Sequence, residues 1–239
     1  MYELCVILRT CDRVNAFSGG RKRDFGSKFD VMKTCITSLR KSIDFFESKG
    51  NKCVFIIVDD HSSEEMLSFL KSSKPNELIN LPESGNGHSF VKCVDLAKNM
   101  EGLVFLVEDD YLLREECLLS MVESYHKIKK DFGIELCIHP TDYPDRYKSV
   151  YPSLIVLGSD RHYRTIKHTT CTFMYPSFMF NEFEEQLKIF FDYGKKPGIT
   201  EDNSINLVYN KYYCFSPIPS LAEHYQYKET LSPYYEKRI

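Results

Sequence analysis

Three carboxylates stand side by side at Glu108-Asp109-Asp110, directly after the apolar run Leu103–Val107. Adjacent like charges repel and cost stability unless a cation neutralises them, and hard oxygen ligands of this kind suit Mg²⁺ or Mn²⁺. A diphosphate would complete such a site. Two further charged clusters follow the same pattern: Arg9-Thr10-Cys11-Asp12-Arg13 comes after Leu4–Leu8, and Asp59-Asp60-His61-Ser62 comes after Cys53–Val58. Taken singly, each is a solvated turn, and Arg9 is equally an ion-pair partner for Asp59 or Asp60. Gly85-Asn86-Gly87, a turn signal by itself, would let the backbone approach a ligand closely because glycine lacks a Cβ. Farther along, Thr200-Glu201-Asp202-Asn203 follows a Pro197-Gly198 break, and Glu223-His224 follows Pro219-Ser220-Leu221. The first reads equally as a helix cap with acids in the first turn, and the second as a surface pair.

What positions these groups is an alternation of strands and helices. The runs at Leu4–Leu8, Cys53–Val58 and Leu103–Val107 have strand length and are continuously apolar, as a sheet covered on both faces requires. Between the first two, Met32, Ile36, Leu39, Ile43 and Phe46 recur every three or four residues, with Asp30 as the expected cap and Gly50 as the stop. Ser62 and Glu65 have capping-box spacing ahead of Met66, Phe69 and Leu70, and Phe90, Val91, Val94 and Ala97 mark a third helix before Gly102. Strand, helix, strand, helix, strand implies a parallel sheet with right-handed crossovers, and ligands bind such sheets beyond the carboxyl ends of the strands. That rim is where the charges lie.

From residue 114 the pattern loosens. A helix through Cys117, Leu118, Met121, Val122 and Tyr125 ends near Gly133, and short strands are expected at Leu136–Ile138 and Leu154–Leu157 around a Pro- and Tyr-rich loop. Phe183, Leu187, Phe190 and Phe191 mark a penultimate helix, and the closing segment is extended and aromatic. With no linker or repeat, residues 1–239 read as one α/β domain: a regular, nucleotide-fold-like half over 1–110 and a half of mixed structure over 111–239.

At 239 residues, with 43% hydrophobic and 27% charged residues, the chain has ordinary globular composition and no apolar stretch of membrane-spanning length. A net charge of -3 leaves no excess of cation for a nucleic-acid backbone. The N-terminus lacks the basic start and long apolar centre of a secretion signal. Nine cysteines are scattered singly with no CxxC pair, so neither zinc nor a disulfide framework is expected, and a reducing compartment, the cytoplasm, is.

These segments resemble a family. VFLVEDDYLL is similar to the DxD-type metal motif of glycosyltransferases of the GT-A fold, and VFIIVDDHSSEE to their nucleotide-binding strand end. LPESGNGHSFVKCVDLAKN resembles the Asn-and-Gly loop and helix that family-2-like members carry before the metal motif. GITEDNSINL resembles the Glu-Asp motif that supplies the base in inverting members, and PIPSLAEHY the Pro-Ser-Leu segment whose His completes the metal site. The five segments lie in register between residues 4 and 224.

The resemblance implies a GT-A domain, a mainly parallel nucleotide-binding sheet flanked by helices with a mixed C-terminal half. It implies an inverting transfer of a sugar from a nucleotide-diphosphate donor, a UDP-sugar favoured, to a hydroxyl of a glycan or other acceptor. Asp110 and His224 would hold Mn²⁺ or Mg²⁺, Asp202 would act as base, and Arg9, Thr10, Asp60, Gly85, Asn86, Glu108 and Asp109 would bind the donor. The sequence departs from the pattern at Glu108, where many members have Asp, at His61, where Gly is usual, and at Glu64. The connection after the first strand is longer than the family's and carries Arg21, Lys22, Arg23 and Lys28, expected either as a lid over residues 17–30 or as a solvated loop. Two alternatives stay open: a sugar nucleotidyltransferase, whose Gly-rich, Arg-containing phosphate loop usually comes immediately after the first strand, where this sequence has Arg9-Thr10-Cys11-Asp12-Arg13, and a catalytically silent carbohydrate-binding module on the same fold.

Overall fold

The computed structural model describes residues 3–13, 22–233 and 235. Strand β1 (Leu4–Thr10), helix α1 (Lys28–Ser48), β2 (Cys53–Asp59), α2 (Glu64–Ser72), β3 (Glu77–Asn80), α3 (Asn86–Ala97) and β4 (Leu103–Glu108) form the regular first half. There follow β5 (Tyr111–Leu113), α4 (Cys117–Phe132), β6 (Leu136–Ile138), β7 (Ile155–Leu157), β8 (His162–Ile166) and β9 (Phe173–Pro176). The short helices α5 (Ser177–Glu182) and α6 (Glu184–Lys188) precede β10 (Tyr213–Ile218) and β11 (Ala222–His224).

Nine strands make one sheet in the order β3-β2-β1-β4-β9-β6-β10-β8-β7, while β5 and β11 pair apart from it. The strands β3, β2, β1 and β4 are parallel to one another, and β9 enters antiparallel between β4 and β6. The fold is therefore the expected one, a parallel nucleotide-fold half joined to a mixed half.

Alternate residues of β1 feed two separate cores. Leu4, Val6 and Leu8 pack with the buried stripe of α1 (Met32, Ile36, Leu39, Ile43, Phe46) and with α4, whereas Cys5 and Ile7 face Phe90, Cys93, Val94 and Ala97 of α3. Both faces being covered explains why these strands read as unbroken apolar runs. Each fully buried side chain of this size contributes about 1.5–3 kcal/mol relative to exposure.

Two caps differ from expectation by a few residues. Ser27, not Asp30, caps α1; its hydroxyl accepts the Asp30 N–H, and the Asp30 carboxylate accepts the Ser27 N–H in return at 3.1 Å. Ser63, not Ser62, caps α2: its hydroxyl accepts the Met66 N–H at 3.2 Å, whereas the Ser62 hydroxyl accepts the Asp12 N–H at 3.2 Å. The penultimate helix is broken into α5, α6 and a 3₁₀ turn at Ile189–Asp192. That turn presses on α3 so closely that a Cβ on Gly87 would lie 2.1 Å from the Phe191 carbonyl oxygen, which only glycine allows. All nine cysteines are free, and burial pushes the thiols of Cys5 and Cys93 up to about 12, so these two pack as inert hydrophobes.

Candidate active site

The strand register decides what meets at the rim. Arg9 sits opposite Glu108 across β1 and β4, and Thr10 opposite Asp59 across β1 and β2. The Arg9 guanidinium accordingly donates to Glu108 Oε1 at 2.7 Å, reaches the carbonyl of Asn86 at 3.0 Å and also bonds the Asn86 side chain. Thr10 donates to Asp59 at 2.8 Å. Asp60 turns outward and accepts the Gly85 N–H at 2.9 Å, joining the second strand end to the loop that opens α3. His61 lies at φ +59°, the left-handed conformation that glycine adopts at no cost, so the usual preference for Gly at this position has a backbone reason.

The third acidic strand end is completed from the far end of the chain. β11 pairs antiparallel with β5, and the register sets His224 beside Tyr111; the Tyr225 N–H then donates to the Asp110 carbonyl at 2.7 Å. The imidazole stacks on the Tyr111 ring at 4.9 Å, its Nδ1 lies 3.4 Å from the Tyr143 hydroxyl, and its Nε2 faces Asp110 Oδ2 at 3.5 Å. Gln226 also donates to Asp110 Oδ2. Asp110 Oδ1 is buried and has no hydrogen-bond partner among the described residues. A buried carboxylate oxygen left so is costly, and a cation is one group that would satisfy it.

The electrostatics agree. Burial would push the Asp110 carboxyl up, but charged His224 and the bonds from His224 and Gln226 hold it well below the usual range. Asp109 is pushed the other way by burial, with Asp110 and Glu108 adding to the effect and Lys28 opposing it. Burial disfavours the charged form of His224, yet Asp110 outweighs this and holds the imidazole's pKa above its ordinary value. Thus, without an ion, His224 itself acts as the counter-cation of Asp110. Among the described residues no three His, Cys, Asp or Glu side chains converge as a ready-made metal cage. Asp110 and His224 therefore fit a divalent ion only as two protein ligands, with phosphate oxygens or water supplying the rest.

Around this point lies a cavity of about 530 Å³. Arg9, Thr10, Asp60, Gly85, Asn86, Glu108, Asp109, Asp110 and His224 all line it. Among the described residues, five carboxylates there (Asp60, Glu108, Asp109, Asp110, Glu201) face three permanent cations, Arg9, Arg23 and Lys28.

Asp202 is the exception among the expected site residues. It does not line the cavity: its side chain is 68% exposed, bonded to His168 Nδ1 at 2.8 Å and to the Asn206 amide at 2.8 Å, and these bonds hold its carboxyl below the ordinary range. Of the two neighbours, it is Glu201 that lines the cavity. Residues 14–21, with Arg21, lie outside the described residues, and so does part of the expected 17–30 lid; of its other cations Arg23 and Lys28 line the cavity, Lys28 3.8 Å from Asp109. Thr170 lines it too, and so do Tyr193, Gln226, Tyr227 and Thr230, which carried no motif; only the nearness of Gln226 and Tyr227 to His224 pointed to that pair. No helix of the described chain is long and apolar enough to cross a membrane.

No protein-family model matches the chain, and no curated protein sequence matches it significantly. Solved structures do. S. aureus TarS superposes over 90% of this chain and 35% of its own, at a TM-score of 0.52 and 17% identity. Residues 1–349 of S. aureus TarS in complex with UDP match at a TM-score of 0.47 and 18% identity, covering 90% of this chain and 60% of that one. A 4-diphosphocytidyl-2C-methyl-D-erythritol synthase from Anaerococcus prevotii matches at 0.47 and 11% identity, over 90% and 87%. The chain thus spans about a third of the full TarS chain. At such identities the likeness is one of architecture, and the architecture is that of the GT-A fold.

Proposed function

We propose that the chain is a divalent-metal-dependent, inverting glycosyltransferase that passes a sugar from a nucleoside-diphosphate donor, a UDP-sugar by preference, to a hydroxyl of a glycan or similar acceptor. The observation that carries this reading is the partnerless buried Asp110 Oδ1 beside His224 Nε2, at the mouth of a cavity with room and polarity for a nucleotide. Mn²⁺ or Mg²⁺ held by Asp110 and His224 would supply Lewis acidity to the departing diphosphate. Arg9 and Thr10 form the cavity floor, the Asp60 carboxylate faces the nucleobase, and the Gly85-Asn86 backbone closes against the ligand. Arg23 and Lys28 add positive charge beside the leaving diphosphate, and Glu108 and Asp109 hold the donor's hydroxyls. The buried free thiols favour a reducing compartment, the cytoplasm.

Transfer is favoured over nucleotidyl transfer because Arg9-Thr10-Cys11-Asp12-Arg13 offers no glycine-rich cradle for a triphosphate. Incubating the chain with Mn²⁺ and a panel of UDP-sugars tests the reading. Release of UDP with a sugar product of inverted anomeric configuration by NMR is expected. Diphosphate release from UTP and a sugar phosphate would instead identify a nucleotidyltransferase, and sugar binding without turnover a silent module.

A further inference from the structure

We infer that Glu201, and not its neighbour Asp202, is the base that takes the acceptor's proton; the inference rests on the transfer reading above. Both residues lie in one 3₁₀ turn, Glu201–Asn203, capped by Thr200, whose hydroxyl accepts the Asp202 N–H. Successive residues of so tight a turn point in different directions. Asp202 is directed to the rim, where His168 and Asn206 take up its Oδ1, and Glu201 is directed into the cavity that holds Asp110 and His224. A base must reach the hydroxyl it deprotonates, so position selects Glu201.

The surroundings support the same choice. Burial raises the Glu201 carboxyl above its ordinary range; Glu108 and Asp202 add to this, and Arg9 opposes it. The Asp202 carboxyl, lowered by its two hydrogen bonds, is the weaker proton acceptor. Tyr193, which also lines the cavity, has its phenol pushed up by burial and then by the Glu201 charge, so it stays neutral beside that carboxylate. In the step itself the acceptor oxygen bonds the anomeric carbon while Glu201 takes the hydroxyl proton. The bond from that carbon to the β-phosphate oxygen breaks, its electron pair leaving with the nucleoside diphosphate. Glu201, then a neutral acid, returns the proton to solvent.

Azide separates this role from a structural one, because it attacks the anomeric carbon with no proton to surrender. Wild type, Glu201→Gln, Glu201→Ala and Asp202→Asn would be assayed with Mn²⁺ and a panel of UDP- and GDP-sugars in water, with and without sodium azide, alongside calorimetric UDP binding. The Glu201 variants should bind UDP within about threefold of wild type but release nucleoside diphosphate on the order of 10²- to 10⁴-fold more slowly. Azide should restore release in Glu201→Ala and give a glycosyl azide of inverted configuration, and Asp202→Asn should slow release less than about tenfold, since Asp202 lies outside the cavity and an asparagine there keeps an acceptor oxygen for His168 and Asn206. The assignment is overturned if azide fails to restore a Glu201→Ala chain that still binds UDP, or if Asp202→Asn suffers the large loss in place of Glu201→Gln. A wild-type chain that releases no nucleoside diphosphate from any donor overturns the transfer reading and this assignment together.

Discussion

Asp110→Asn is expected to weaken Mn²⁺-supported binding of UDP by about 100-fold or more while the fold survives. Asp110 Oδ1 is buried without a partner among the described residues, and Oδ2 is shared by Gln226 and His224. Asparagine keeps the shape and one acceptor, so Gln226 retains its bond. The negative charge is gone, and with it half of the protein's ligand set; loss even of a group that only orients a metal ligand costs 10- to 100-fold in affinity. The fold should survive, because His224, no longer held charged by Asp110, can rest as the neutral imidazole, and Glu108 and Asp109 lose a like-charged neighbour. Calorimetry for binding and thermal melting for the fold check both halves. Undiminished binding would place the ion elsewhere, and a collapsed melting transition would make Asp110 a structural residue.

Arg9→Met is expected to cost about 3 kcal/mol of folding stability, the worth of breaking a buried ion pair from one side. The guanidinium joins Glu108 on β4 to Asn86 at the start of α3, lies 5.9 Å from the Phe90 ring centre, and is only 11% exposed. Methionine fills most of its volume but strands the Glu108 carboxylate beside Asp109 and Asp110. Adding Glu108→Gln should return most of the loss, because the cost arises from the uncompensated charge rather than from the missing contact. Urea denaturation of the wild type, the single variants and the pair measures this. A double variant no more stable than Arg9→Met would show that packing, not charge, is what Arg9 supplies.

The rim of the site was legible because its residues follow long buried strands. Arg9, Asp60 and Asp110 each stand one or a few residues after an apolar run whose register with its neighbour is fixed by burial on both faces, so their convergence follows from the strands alone. What escaped depends on contacts distant in sequence. β9 is four residues long, closes on a proline and is buried on both faces, so it shows neither the length nor the alternation of a strand. β5 and β11 are three residues each, and only their pairing puts His224 over Tyr111. The orientation of the Glu201-Asp202 turn was equally hidden: spacing marks both acids alike, whereas His168, 34 residues away, and Asn206 decide which one turns outward. The caps at Ser27 and Ser63 rather than Asp30 and Ser62 differ for a nearer reason: the Asp30 carboxylate accepts the Ser27 N–H as the other half of a capping box, and the Ser62 hydroxyl already accepts the Asp12 N–H.

A nucleoside diphosphate is expected to bind this cavity only together with a divalent cation held by Asp110 and His224. Titrating the wild-type chain with UDP in the calorimeter, once in Mn²⁺ and once in EDTA, tests it most directly. Saturable one-to-one binding in Mn²⁺ that disappears in EDTA and returns when excess Mn²⁺ is restored is the predicted result; equal affinity in the two buffers would contradict it.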